Sequence, residues 1–149
     1  MRRLFVLVLL LAVALPASAL TPAQARVRVD HHLKHAERLV GHFEMLLGMS
    51  CPRFPTASAW DTYVDRETEQ MTLLMAHLEQ AWVEAKRTSD DEVRRAAKAP
   101  RRHSEQMRQL MDKLQLCAAA NGAAFSPVDA WRRVERDVPR RQAEIALPQ

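Results

Sequence analysis

Apolar residues recur along this chain at steps of three and four, and no stretch of any length alternates as a strand would. Between Asp30 and Cys51, the residues Leu33, Ala36, Leu39, Val40, Phe43, Leu46 and Leu47 form one wholly apolar helical stripe. His31, His35, Arg38, His42, Met45 and Met49 form a second stripe roughly 80° wide, centred about 120° from the first. The second stripe lies on the border between core and solvent. That position suits ligands, and it equally suits an ordinary polar rim.

Start and stop signals divide the rest of the pattern. Thr21 as N-cap and Pro22 at the first helical position open a helix running to about residue 48 or 49. Pro52 and Pro55 force a short extended link. A second helix covers about 57 to 86, with a seam of Trp60, Val64, Glu67, Met71, Leu74, Leu78, Ala81 and Ala85, and with Tyr63, Met75, His77 and Trp82 alongside. A third runs from about 91 to 119, and Pro100 should kink or split it near Lys98. Its later seam is His103, Met107, Leu110, Leu114 and Cys117. Asn121-Gly122 marks its stop. Ser126-Pro127 opens a fourth helix, directed inward by Val128, Trp131, Val134 and Val138, which Pro139 limits, leaving 140–149 as a frayed tail. Four helices on short connections predict an all-α fold, an antiparallel four-helix bundle in up-down-up-down order.

The first nineteen residues belong to a different pattern. Arg2 and Arg3 precede twelve unbroken apolar residues, Leu4 to Leu15, and Ala17-Ser18-Ala19 is a small-x-small cleavage site. Twelve residues are too few to cross a bilayer, which takes about twenty. The expectation is a signal peptide over 1–19 and a single exported domain over 20–149, periplasmic or secreted, with no stable membrane insertion after cleavage. Without Arg2 and Arg3, Lys+Arg falls from 22 to 20 against 18 acids, a net charge of +2. The arginine pairs at 94–95, 101–102, 132–133 and 140–141 are interleaved with acids and lack the aromatic platform of a nucleic-acid binder, so no nucleic-acid partner is expected.

Cys51 and Cys117 are the two cysteines. In an oxidising compartment they predict one disulfide, which would close a loop of about 67 residues and stabilise by roughly 4 kcal/mol. In an up-down-up-down bundle the first and third helices end at the same pole, where both cysteines fall. The pairing and the topology support each other.

Candidate chemistry is confined to histidine and methionine. G-x-S-x-G, H-E-x-x-H, a phosphate-binding glycine loop and C-x-x-C-H are all absent, so binding is expected and turnover is not. Met45 and Met49, Met71 and Met75, and Met107 and Met111 are spaced i,i+4, with His42, His77 and His103 nearby. Thioether and imidazole donors suit copper, and paired imidazoles suit copper, nickel or zinc. Counted from the disulfide pole at 1.5 Å per residue, His35, Met71 and His103 lie at one height, roughly 22 Å away. With Met107 one turn nearer, they form the expected metal site, with His31 and His42 as further candidates. Methionines on apolar seams also pack as flexible core filler, and rim histidines are often only solvated or paired.

Leu20-Thr21-Pro22-Ala23-Gln24 resembles the L-T-x-x-Q motif of the Spy/CpxP family of periplasmic helical proteins. The resemblance implies a chaperone or envelope-stress role, with metal-responsive relatives. It covers five residues in one copy where the family carries two, and a disulfide-tied bundle departs from the family's open helical hairpin. The leading expectation is an exported helical-bundle protein that binds or senses a metal through His and Met. The alternative is a protein-interaction module without metal: a chaperone, an inhibitor or immunity protein, or a secretion accessory.

Overall fold

A computed structural model describes residues 21–99 and 103–145, all helical apart from their connections, with no strand among them. The expected signal peptide lies outside the described residues. The helices are α1 (Pro22–Gly48), α2 (Ala57–Lys86), α3 (Asp91–Lys98), α4 (Ser104–Ala120) and α5 (Pro127–Glu144). Among the described residues there are thus five where four were expected, the expected third being split near Lys98 into α3 and α4. α3 ends at Lys98, where the sequence places the break ahead of Pro100, since a proline lacks the N–H that would continue a helix. At Pro139 the expectation is corrected in the other direction. The helix continues to Glu144, where Arg140 and Arg141 bond Glu144 and Arg141 also reaches Glu69 on α2.

Local chemistry sets most boundaries. The Thr21 hydroxyl accepts from the Gln24 N–H at 3.2 Å, and the Gln24 side chain accepts from the Thr21 N–H at 3.1 Å. This is a capping box, so Thr21 and Gln24 have a complete structural role as the start of α1. Thr56, Asp90 and Ser126 cap α2, α3 and α5 through their side-chain oxygens. After α4, Gly122 takes the left-handed φ of +62°, and the Ala123 N–H returns to the Ala118 carbonyl at 3.0 Å.

One pole is tied by several independent bonds. Cys51 and Cys117 form a disulfide with Cα atoms 5.2 Å apart. Asn121 accepts from the Phe54 N–H and donates to the carbonyls of Pro52 and Cys117, each at 2.9 Å. Lys113 on α4 donates to the carbonyls of Leu46 at 2.7 Å and Leu47 at 2.9 Å, and to that of Met49. A lysine from a neighbouring helix thereby supplies the positive charge that the C-terminus of α1 lacks in its own last turn.

The apolar interior has two parts. The main cluster joins α1, α2, α4 and α5 around Phe43, Trp60, Met71, Leu74, Met107 and Leu110. A smaller one joins Ala25 and Val29 of α1, Ala81 and Ala85 of α2, and Val93 and Ala97 of α3. Three polar pairs, one buried and two part-buried, cross the α1–α2 interface, and the His32–His77 pair lies between the clusters. Arg28 meets Glu84 at 3.3 Å, His32 meets His77 at 3.2 Å, and His42 meets Glu67 at 2.7 Å, in antiparallel order. Glu67, His32 and Glu84 are each fully buried.

Replacing both cysteines by serine should lower the unfolding free energy by about 4 kcal/mol, since the disulfide spans 66 residues. Urea unfolding followed by helical circular dichroism measures this. A loss below about 1 kcal/mol would show that the Asn121 and Lys113 bonds hold the pole without it.

Candidate functional site

Four of the imidazoles gather midway along α1 and α2. His31, His32 and His35 come from α1 because the steps of one and three wrap them around a single turn facing α2; His77 comes from α2. Ring centroids lie 5.3 Å apart for His31–His32, 4.7 Å for His31–His35, 5.4 Å for His32–His77 and 4.7 Å for His35–His77. The His35 and His77 rings are stacked, 13° from parallel.

The closest contact is nitrogen to nitrogen. The Nδ1 atoms of His32 and His77 are 3.2 Å apart, with both side chains buried. One hydrogen bond between them requires one ring to carry its proton on Nδ1 and the other to leave Nδ1 bare. The Nε2 atom of His32 is buried with no hydrogen-bond partner. Either tautomer of His32 leaves that atom unsatisfied, at a cost of about 1–3 kcal/mol. A layer of imidazoles between two apolar clusters is thus a poor choice for stability alone.

Burial is the main reason that both rings resist protonation. The pKa of His32 falls from 6.5 to about 4, through burial first and then the neighbouring His31 and His35, against an opposing pull from Glu84. That of His77 also falls to about 4, through burial and then His35, His32, His31 and Arg38. His35 is shifted down as well, by burial and by Arg38, whose Nη2 donates to His35 Nδ1 at 2.6 Å. At neutral pH the buried pair is therefore uncharged and its nitrogens are available.

Two nitrogens 3.2 Å apart can also share an ion. With His–metal bonds of about 2.0–2.1 Å, that separation corresponds to an N–metal–N angle of roughly 100–105°, close to tetrahedral. No group of three or more His, Cys, Asp or Glu among the described residues surrounds one point as it stands. A third ligand requires a turn of His31 or His35, both of which border an open surface hollow with Lys34 and Arg38.

The metal set expected from the sequence is divided in the structure. His35 has His31, His77 and Arg38 as its partners. Met71 and Met107 both belong to the main apolar cluster and are fully buried. His103, half-buried before α4, bonds Gln106 at 2.7 Å, and Gln106 reaches Glu44 of α1 at 2.8 Å. His42 faces Glu67, with its ring near Phe43. His32 and the pairing role of His77 were missed. The signal for His32 lay in the steps of Val29, His32, Ala36, Val40 and Phe43, which mark the true buried stripe of α1.

No family model matches this chain, and neither curated proteins nor solved structures give a match.

The depressed pKa values fix the sign of a pH dependence. Between pH 6.5 and 4 the unfolded chain binds protons that folded His32 and His77 refuse. Metal-free protein should hold its stability above pH 6.5, lose it progressively as pH falls below 6.5, and level off below about pH 4. Urea midpoints of the native chain and of H32L/H77L, compared between pH 7.5 and 4, isolate this contribution. Parallel profiles for the two proteins would contradict it.

Proposed function

We propose that this chain is an exported helical protein that binds a divalent first-row transition metal at the α1–α2 imidazole layer. Its architecture is best described as a four-helix bundle in which α3 and α4 form one interrupted arm. The observation that carries the reading is the pair of buried Nδ1 atoms at 3.2 Å, flanked by two further imidazoles within ring contact. Neutral nitrogen donors suit Zn(II), Ni(II) and Cu(II), with Cu(II) the tightest by the general affinity order. Export is supported by the leader-like pattern of residues 1–19 and agrees with the disulfide. No helix among the described residues is long and apolar enough to cross a membrane.

The role that fits is binding, as a carrier, buffer or sensor, with the ion bridging α1 and α2. A bridging ion would tighten the interface that separates the two apolar clusters, so occupancy would be read out as stability. The interaction-module alternative draws on the large apolar side chains that are more than half exposed: Val27, Met45, Met49, Leu116 and Val128. They are spread over α1 and its C-cap, α4 and α5, whereas the imidazoles converge.

Thermal unfolding of tag-free, chelator-treated protein tests the reading. Adding Zn(II), Ni(II) or Cu(II) to 100 times its Kd should stabilise the native chain by about 2.7 kcal/mol. H32L/H77L should show no such response. That variant exchanges two buried polar rings for apolar ones together, which is nearly neutral or stabilising, so it should fold. A native chain whose melting temperature no metal raises, or a variant that responds equally, would overturn the proposal.

A further inference from the structure

We propose a second and separate site, for the soft monovalent ion Cu(I), at the C-terminal end of α1, formed by His42, Met45 and Met49. These three border one cavity of about 690 Å³, which also touches Tyr63, Lys113 and Cys117 of the disulfide. Their spacing of three sets His42 and Met45 a turn apart on α1, and Met49 is the C-cap just beyond Gly48. The site lies ten residues beyond His32, about 15 Å along the helix from the imidazole layer.

The methionines are placed unlike their counterparts. Met71, Met107 and Met111 are buried, as core-filling methionines are, whereas Met45 and Met49 are 54% and 55% exposed. Two flexible thioethers therefore stand in the open at the mouth of a largely apolar cavity. The sulfur of methionine is a soft, neutral donor that selects Cu(I) over Zn(II) or Mg(II).

His42 is held as a metal-ligating histidine is held. Its Nε2 lies 2.7 Å from Oε2 of the fully buried Glu67, whose Oε1 is fixed by Arg66 at 2.8 and 2.9 Å. A carboxylate behind one imidazole nitrogen places the proton there and leaves the other nitrogen's lone pair free. No hydrogen bond among the described residues uses His42 Nδ1. The two cations beside the cavity are already compensated, Arg66 by Glu67 and Lys113 by the carbonyls that end α1. A single positive charge can enter without displacing either.

Anaerobic titration with Cu(I) against the chromophoric chelator bicinchoninate, repeated with Ag(I), tests the site in three proteins. The native chain should withdraw Cu(I) from the chelator, and H32L/H77L should do so equally well. M45L/M49L should bind Cu(I) and Ag(I) at least tenfold more weakly while keeping the native response to Zn(II). Both methionines are exposed, so leucine preserves the fold, which circular dichroism verifies. Undiminished Cu(I) binding by M45L/M49L overturns the second site and leaves the imidazole layer standing. Loss of Cu(I) binding in H32L/H77L instead of M45L/M49L overturns it too, by assigning the soft ion to that layer. Cu(I) binding that depends on Met45 and Met49 in a chain indifferent to Zn(II) would uphold this site and defeat the first.

Discussion

Buried polar groups must find partners, and along α2 that requirement is met jointly by α1 and by α2's own Arg66 and Gln80 and its capping Arg87. Glu84, His77 and Glu67 are almost wholly buried, and Arg28, His32 and His42 reach them in antiparallel sequence. A slip of either helix by one turn would separate all three pairs at once. Leaving a buried polar group without its partner costs about 1–3 kcal/mol. Apolar packing draws the helices together, and these pairs favour the register observed. The disulfide, Asn121 and Lys113 then lock the pole at which that register begins.

Much of this architecture is legible in the sequence because its causes are local. Thr21 with Pro22, Thr56, Asp90 and Ser126 mark helix starts by chemistry confined to a single turn. The disulfide is legible for a different reason, since two cysteines at the ends of parallel helices have one geometry available. Pro100 and Pro139 show the boundary of such reasoning. α3 stops two residues short of the first, whereas α5 runs through the second, where Val138 packs in the main cluster and Arg141 grips Glu69.

The candidate site was less legible because it depends on which faces meet. A rim stripe of His31, His35 and His42 can be read from spacing alone, but its partner helix cannot. α2 buries residues around most of its circumference, from Trp60 and Met71 to His77 and Glu84, so its seam gives no single direction. Counting height from the pole placed His35 opposite His103, whereas the ring that stacks on His35 belongs to His77 on α2. His32 falls in neither stripe read from the sequence. It becomes central once Val29 and Ala36 are seen to belong to different apolar clusters, with His32 in the gap.

That gap connects structure to function. An interior built for stability alone would fill it with leucine, yet it holds two uncharged imidazoles and an unpaired Nε2. Long-range proton–nitrogen NMR on nitrogen-15-labelled protein reports directly on the nitrogens involved. Metal-free protein should show His32 and His77 as opposite tautomers, one protonated on Nδ1 and the other on Nε2. One equivalent of Zn(II) should convert both to the Nε2-protonated form, with both Nδ1 resonances shifted by ligation. Rings at 32 and 77 that keep their metal-free resonances while the other histidines respond would contradict the account.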